Sequence, residues 1–161
     1  MAEHERHLYY LRRCVEVSRL AREAGNTPFG SILVAESGTI LLEQGNIEIT
    51  ESNCTGHAET TLMAAASKQF SKEKLNTCTL YTTAEPCAMC SGSIYWGNVG
   101  RVVYGISEKR LAELTGDDEQ NLTLDLPCRS VFAAGRKKVI VIGPFQELEQ
   151  EVVSVHEGYW I

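Results

Sequence analysis

Long hydrophobic runs are missing from this sequence, and its first residues are not expected to form a secretory leader. No stretch of its 161 residues approaches the ~18 consecutive apolar residues that a membrane-spanning helix needs. Residues 1–7 carry acidic side chains and lack an apolar core, so they do not have the character of a signal peptide. We therefore expect a soluble, cytoplasmic protein that has no membrane partner.

Basic residues are also scarce, since 15 Lys and Arg stand against 21 Asp and Glu and leave a formal charge of −6. Proteins that bind tRNA or duplex DNA neutralise phosphates with Lys and Arg and usually carry a basic patch or tail. Here the densest basic cluster is residues 136–138, and no Lys or Arg follows it. The end of the chain is acidic instead, with Glu147, Glu149, Glu151 and Glu157. The charge pattern therefore disfavours a nucleic acid as partner.

The composition shows no sign of disorder, and the length shows no need for several domains. Hydrophobic residues make up 43% and charged residues 22% of the chain, close to the averages of globular proteins. A length of 161 residues lies in the ~100–200 range of one domain, and such a domain buries roughly 70% of its unfolded surface. We expect residues 1–161 to form a single domain that can enclose a site.

Helical and strand patterns alternate along the chain. Apolar residues at helical spacing predict an opening helix that ends at Gly25-Asn26. Further helices are predicted at residues 57–70, 87–96, 108–114 and from 145 onward, with a polar loop through residue 125. Strands are predicted at residues 29–35, 39 to about 49, 77–83, 101–105 and 138–142. The first two strands make a hairpin and the later ones can run parallel, which predicts an α/β fold: a three-layer α/β/α sandwich with a central five-stranded mixed sheet.

Two of the six cysteines, Cys87 and Cys90, form a Cys-x-x-Cys pair. Three positions apart, their thiols share one face of a helix and can bind the same metal ion. Pro86 suits a helix start, where the helix dipole favours the thiolate form. A thiol-redox pair is the competing interpretation. The other cysteines are isolated and are expected to be buried packing residues: Cys14, Cys54, Cys78 and Cys128.

His57 and Glu59 favour a catalytic metal site over a redox pair. Both side chains can reach one site only from the first turn of a helix, and Thr55-Gly56 just before them fits that placement. His57, Cys87 and Cys90 then supply the three protein ligands of a catalytic zinc ion, which keeps its fourth position for water. Glu59 is a spare carboxylate that can move a proton between that water and a substrate. A non-catalytic zinc or thiol-redox module is the alternative from another class.

The order His57-x-Glu59 and then Pro86-Cys87-x-x-Cys90 matches the signature of zinc-dependent deaminases. The chain resembles the cytidine/deoxycytidylate deaminase superfamily over roughly residues 24–104 and, within it, the bacterial guanine deaminases. The closer resemblance rests on three segments: residues 27–30 (Thr-Pro-Phe-Gly), Gly45-Asn46 and residues 85–96, which begin Glu-Pro-Cys-Ala-Met-Cys and end Ile-Tyr-Trp.

This resemblance implies hydrolytic deamination of a free nucleobase or small nucleoside, with guanine or a related purine first and with release of ammonia. It also implies Zn²⁺ as the cofactor, Glu59 as the catalytic acid and base, and a homodimer. A tRNA adenosine deaminase and a cytosine deaminase are the alternatives. The tRNA enzymes share Asn46 and the zinc motif, but they typically place an aliphatic residue where Phe29 stands and usually end in a basic tail.

The same resemblance implies six substrate contacts: Phe29, Asn46, Ala58, Trp96, Asp118 and Tyr159. The Asn46 amide would contact a base edge, the two rings of Phe29 and Trp96 would wall the base, and the Ala58 N–H would donate to a ring carbonyl. Asp118, or Asp117 beside it, would contact an amino group, and Tyr159 would close the pocket.

Structural interpretations of these positions stay open alongside the functional ones. Asn46 also suits a turn after Gly45, the two aromatic residues also suit core packing, and Asp118 also suits a solvated loop. Gly158 interrupts the last helix, and His156 is expected on the surface of that helix.

Overall fold

Five strands form one mixed sheet within residues 1–160, the part of the chain that the computed structural model describes. They are β1 (Gly30–Val34), β2 (Ile40–Gly45), β3 (Thr79–Ala84), β4 (Arg101–Ile106) and β5 (Ile140–Ile142). Their order across the sheet is β2-β1-β3-β4-β5. β1 runs antiparallel to β2 and β3, whereas β3, β4 and β5 run parallel to one another. The mixed five-stranded sheet that the sequence predicts is confirmed.

Seven α-helices accompany the sheet within the same residues. They are α1 (Glu3–Glu23), α2 (Ala58–Gln69), α3 (Lys72–Asn76), α4 (Ala88–Trp96), α5 (Glu108–Thr115), α6 (Cys128–Ala133) and α7 (Glu149–His156). α1 and α7 pack together on one face of the sheet, and α2, α4 and α6 pack on the other, which makes the predicted α/β/α sandwich. Within residues 1–160 no helix combines the length and the apolar character that a membrane crossing requires.

Alternate residues of the central strands fill the two sides of the core. Ile32 and Tyr81 pack with the residues of α1, whereas Leu33 and Leu80 pack with those of α2 and α4. Successive side chains of a strand face opposite sides, and helices cover both sides here, so these strands are buried on both faces. Each fully buried Leu or Ile stabilises the fold by about 1.5–3 kcal/mol. The sheet is therefore a firm support for the loops at its edge.

The first helix lies directly on the first strand at Gly30. A Cβ atom at this position would lie 2.6 Å from the backbone nitrogen of Ser18 and 2.7 Å from the carbonyl oxygen of Cys14. Only a residue without a side chain permits such a close approach of two backbones. The contact holds Phe29, the residue before β1, close to α1.

The strand ends next to the predicted site residues lie together at one edge of the sheet. β3 ends just before Glu85 and the start of α4, and β4 ends just before the start of α5 at Glu108. The antiparallel pairing of Gly30 with Gly45 brings the start of β1 and the end of β2 to the same edge. Ligands of α/β proteins bind at such edges, because the loops that open helices meet there.

The sequence predictions differ from the structure in the loops. β2 ends at Gly45 and does not continue to about residue 49, because Ile47 donates its N–H to the Gly56 carbonyl and the chain turns away from the sheet. The short helices α3 and α6 were not predicted. The last helix begins at Glu149, after a 3₁₀ turn at Gln146–Leu148, and not at residue 145.

Candidate metal centre and active site

The side chains of His57, Cys87 and Cys90 converge from the starts of two helices. His57 is the residue before α2, Cys87 is the residue before α4, and Cys90 lies in the first turn of α4. His57 Nδ1 lies 3.5 Å from the sulfur of Cys87 and 3.5 Å from that of Cys90. All three potential ligand atoms lie within 4.8 Å of one another. The structure thus brings the predicted metal ligands together.

The geometry of this trio fits a tetrahedral zinc ion. With Zn–N near 2.05 Å and Zn–S near 2.3 Å, a nitrogen and a sulfur of such a site lie about 3.5 Å apart, which is the separation found here. The set of one imidazole and two thiols is also chemically suited to zinc. Three protein ligands leave a fourth position for water or substrate, as catalytic zinc sites require. Zinc is the cofactor of this domain, as the sequence predicts.

The metal-free site already favours a thiolate at Cys87. Hydrogen bonds with the Cys90 thiol and then with His57 lower the pKa of Cys87 to about 4. The pKa of Cys90 is raised because it holds the shared proton in a buried position. The N-terminus of α4, whose first N–H groups have no carbonyl partner within the helix, adds positive potential at the sulfur atoms.

Glu59 lies two residues after the metal ligand His57 and is buried, with only 7% of its surface exposed. It is the second residue of α2, in the first turn, and it lines the same cavity as the ligand His57 that precedes the helix. Burial, followed by the negative charge of Cys87, raises the pKa of Glu59 to about 7. The redox pair predicted as a competing interpretation does not call for a buried acid here, whereas a hydrolytic site does.

A cavity of about 320 Å³ opens beside the metal ligands. Its wall includes the predicted residues Phe29, Asn46, Ala58 and Glu59 together with His57 and Cys87. Its size lies at the small end of the range usual for small-molecule sites. The cavity therefore suits a small ligand that contacts the metal and the Glu59 carboxyl group together.

Trp96 does not line this cavity, contrary to the prediction that its ring walls the base. It is the last residue of α4, eight residues after the helix start, and so lies roughly 12 Å along the helix axis from the end that carries the cysteines. Its side chain is 72% exposed, and the Lys137 ammonium group lies 5.7 Å from its ring centre. The motif places Trp96 close to the metal site in sequence, but the length of the helix separates them.

Asp118 and Tyr159 lie behind the cavity wall, and both contact Gln120. Asp118 is buried, and its Oδ1 accepts the N–H of Gln120 at 2.9 Å. The Tyr159 hydroxyl donates to Gln120 Oε1 at 3.1 Å. Gln120 itself lines the cavity, whereas neither Asp118 nor Tyr159 is among the residues that line it. Asp117 is exposed. A substrate role for Asp118 or Tyr159 therefore stays a prediction.

Two structural expectations are corrected. His156 is buried, not on the surface of the last helix, because its ring packs against Phe29 and Trp160. Cys54 is exposed at the cavity mouth and is not a packing residue.

Three acidic residues of the site were not predicted from the sequence: Glu48, Glu85 and Glu108. Glu85 is buried and accepts two backbone N–H groups, from Glu108 at 3.0 Å and from Cys128 at 2.7 Å. Glu108 lines the cavity, and its Oε2 has no hydrogen-bond partner within residues 1–160. Burial raises the pKa of Glu108 to about 8. Only their position in the sequence could have indicated a role in the site, since Glu85 and Glu108 each follow the end of a predicted strand.

Glu48 lies between the metal ligand His57 and Asn46. Its Oε1 accepts a hydrogen bond from Asn46 Nδ2 at 2.7 Å and lies 3.4 Å from His57 Nε2. Its backbone N–H donates to Asn46 Oδ1 at 2.9 Å. The alternative that Asn46 serves as a turn residue is thus also supported, because its side chain closes the turn after β2.

Known proteins are similar to this chain in sequence and in fold. A family model described as the cytidine and deoxycytidylate deaminase zinc-binding region matches residues 4–106. The probable cytosine deaminase of Schizosaccharomyces pombe is 36% identical over 156 residues, which are 97% of this chain and 93% of that protein. The guanine deaminase of Bacillus subtilis is 37% identical over 113 residues, 70% of this chain and 72% of that protein.

Solved structures agree on the fold. The structure of a guanine deaminase from Nitrosomonas europaea matches with a TM-score of 0.70 at 21% identity and covers 93% of this chain and 82% of that one, a likeness of fold alone. Proteins named tRNA-specific adenosine deaminase are also among the sequence matches.

Proposed function

The chain belongs to the cytidine and deoxycytidylate deaminase family and is a zinc-dependent deaminase, and we propose that its substrate is a free purine base of the guanine type. The reaction replaces an amino group on a ring carbon with the oxygen of water and releases ammonia. The zinc ion, held by His57, Cys87 and Cys90, supplies the Lewis acidity that makes water a nucleophile near neutral pH.

Glu59 is the residue that moves protons in this proposal. Its carboxylate accepts a proton as water attacks the ring carbon, and the carboxyl group then donates it to the adjacent ring nitrogen. A second proton transfer, to the departing amino group, lets ammonia leave and restores the carbonyl of the product. Because Glu59 is buried beside the ligands, it stays within reach of both the water and the ring nitrogen throughout.

The observation that carries the purine assignment is the pair of polar groups on the cavity wall besides Glu59. Asn46 retains one amide hydrogen and one lone pair after its bonds to Glu48, and Glu108, which lines the cavity, has a buried Oε2 without a hydrogen-bond partner within residues 1–160. A guanine-type base carries a ring carbonyl, an amino group and ring N–H donors. Such a base can satisfy Asn46 and Glu108 together, and a carboxyl group left without a partner would be costly.

The apolar part of the cavity and the overall charge agree with a flat, uncharged ligand. Phe29 lines the cavity and offers the face or edge of its ring to a heterocycle. Its own position is supported by contacts with His156 and Trp160 behind it. The net charge of −6 does not oppose a neutral base as it would oppose a phosphorylated nucleotide or an RNA.

Cytosine is the second candidate. The protein of Schizosaccharomyces pombe named a probable cytosine deaminase aligns with 97% of this chain, including the C-terminal third that the family model does not match. Cytosine also carries a carbonyl and an amino group, but it has fewer donors for Glu108 than guanine has. A tRNA adenosine deaminase is the less favoured alternative because of the acidic charge balance.

Ammonia release from zinc-loaded protein tests the proposal. The panel contains guanine, adenine, cytosine, their nucleosides, related pterins and triazines, and a tRNA anticodon stem-loop. We expect turnover with guanine to exceed that with cytosine, and E59Q prepared in parallel corrects for contaminating deaminases. Guanine or a close purine as the best substrate supports the proposal. Turnover confined to cytosine, to the stem-loop or to none of these compounds overturns it.

We also propose that residues 1–161 act as one domain, that the protein is a homodimer and that it is cytoplasmic. The homodimer rests on the resemblance to related deaminases, and the cytoplasmic location rests on the reduced cysteines expected of a zinc-thiolate site. Sedimentation equilibrium at two protein concentrations tests the dimer: a mass of one chain at both concentrations would contradict it.

A further inference from the structure

We infer that Glu48 is a positioning residue that connects the metal ligand His57 with Asn46. The part of this inference that concerns Asn46 rests on the proposed function, because it assumes that Asn46 contacts the substrate. The part that concerns His57 rests only on the metal-binding geometry.

The imidazole of His57 is oriented by its two neighbours. Nδ1 faces the two sulfur atoms at 3.5 Å, and Nε2 faces Glu48 Oε1 at 3.4 Å. The 3.4 Å contact with Glu48 is electrostatic and lacks hydrogen-bond geometry, but the negative charge favours the proton on Nε2, so the lone pair of Nδ1 points to the metal position. Carboxylate partners of this kind orient the ring and raise the basicity of the ligating nitrogen.

The amide of Asn46 is oriented by the same residue. Glu48 Oε1 accepts from Asn46 Nδ2 at 2.7 Å, and the Glu48 backbone N–H donates to Asn46 Oδ1 at 2.9 Å. These two bonds determine which end of the amide is nitrogen and hold its plane. Asn46 is therefore preorganised for a ligand before the ligand arrives.

The backbone keeps the Glu48 carboxylate at this place. Asn53 donates its N–H to the Glu48 carbonyl at 3.0 Å, and Ile47 donates to the carbonyl of Gly56, the residue before His57, at 2.9 Å. A Cβ atom on Gly56 would lie 3.1 Å from the Glu48 nitrogen, so the backbone at Glu48 and the backbone at Gly56 are in contact within this loop. One carboxylate oxygen of Glu48 thus serves both the metal ligand and Asn46.

The consequence is that loss of the Glu48 carboxylate should weaken zinc binding and base binding together. Removal of such a carboxylate partner typically lowers metal affinity by about 10- to 100-fold. In E48A, His57 loses its orientation and Asn46 can rotate. In E48Q, the amide oxygen can still accept from Asn46 and keeps a partial negative charge beside His57 Nε2, so most of the function should return. E51A is the matched control, because Glu51 is an exposed acid of the same loop.

The experiment measures zinc transfer to a chromophoric chelator in the absence of any base, and then KM and kcat for the best substrate of the panel. We expect zinc affinity to fall about 10- to 100-fold in E48A, and to stay near the wild-type value in E48Q and E51A. We also expect a rise in KM that exceeds the change in kcat when zinc is in excess. The KM effects of N46A and E48A should not add, since the two residues act as a unit.

Zinc affinity in E48A equal to that in E51A would overturn the connection to His57. Additive KM effects of N46A and E48A would overturn the connection to Asn46. Thermal unfolding with excess zinc shows whether E48A is folded, and an unfolded E48A leaves E48Q to decide: a 10-fold loss of zinc affinity in E48Q would contradict the inference. Because zinc transfer needs no substrate, failure of the purine proposal does not affect this readout.

Discussion

The indole Nε1 of Trp160 donates a hydrogen bond to Nδ1 of His156 at 2.9 Å. The two rings lie 6.0 Å apart in a stacked arrangement, and both contact Phe29 on the cavity wall. Because Nδ1 accepts this bond, the neutral ring carries its proton on Nε2. The C-terminal turn is thereby fastened to the wall of the candidate site by a histidine that must stay uncharged.

This relationship predicts a loss of stability in acid. Burial, and then the charge of Arg22, lowers the pKa of His156 to about 4. The unfolded chain takes up a proton at this residue near pH 6.5, whereas the folded chain does so only near pH 4, so the free energy of unfolding falls as the pH falls between these values. Urea unfolding at several pH values from 4 to 7 should show a shallower fall in H156Q. H4Q, at an exposed histidine, is the control, and an unchanged slope in H156Q would contradict the prediction.

Replacement of Glu59 with Gln should abolish deamination and leave zinc in place. The carboxyl group is not a metal ligand in this site, and the amide that replaces it cannot accept and donate the transferred proton. We expect kcat to fall by about 10²- to 10⁴-fold. Zinc content by atomic absorption and ammonia release should be measured on the same preparation, with E73Q, at an exposed acid in the first turn of α3, as control. Zinc loss in E59Q would indicate a ligand role instead.

Glu108 should show opposite effects on stability and on substrate binding. Burial raises its pKa from the ordinary 4.5 to about 8, so the stability that the protonated group contributes is lost progressively as the pH rises from about 4.5 to 8. E108Q stays neutral, and we therefore expect it to unfold at a higher temperature than the wild type at pH 9, by a smaller margin at pH 6, and at a similar temperature near pH 4.5. At the same time KM for guanine at pH 7 should rise by up to about 10-fold, the effect of losing one hydrogen bond between neutral groups.

E113Q, at an exposed acid of the same helix, is the control for Glu108. An E108Q variant with unchanged KM would show that Glu108 does not contact the substrate. An E108Q variant that is less stable at pH 9 would show that its carboxyl group has a structural partner.

Two glycine-to-alanine substitutions should change stability in opposite directions. At Gly30 a new Cβ would meet two backbone atoms of α1 at 2.6 and 2.7 Å, so α1 must move away from β1. We expect G30A to lower the free energy of unfolding by about 3 kcal/mol. At Gly92, in the interior of α4, no atom lies within 4 Å of the new Cβ, and the helix gains about 0.5–1 kcal/mol. Urea unfolding measures the free energy of unfolding of both variants. Equal changes in G30A and G92A would contradict the packing argument.

The metal centre could be predicted from the sequence because its chemistry is local. His57, Cys87 and Cys90 lie in two short motifs, and each motif begins a helix, so spacing alone indicates which side chains share a face. The layered α/β order follows in the same way from periodicity along the chain. Both predictions are confirmed, and neither requires knowing which distant parts of the chain contact each other.

The cavity wall could not be predicted because distant parts of the chain form it. Glu48 and Glu108 are 60 positions apart, and no local pattern indicates that both open into one cavity. Trp96 shows the converse, since it is near Cys90 in sequence but roughly one and a half helical turns further along α4. Burial of His156 likewise depends on Phe29 and Trp160, which belong to the two ends of the chain.

Glu85 has a consequence for how this domain can diversify. Its two oxygens hold the backbone at Glu108 and at Cys128, and the residues between these points include the cavity wall at Gln120–Leu124. A segment pinned at both ends can change in length at little entropic cost, about 0.6 kcal/mol for each doubling. Insertions, deletions and substitutions between residues 108 and 128 can therefore leave Cys87, two residues after Glu85, in place. One reaction centre can in this way serve different substrate ranges when the segment between α5 and α6 is replaced.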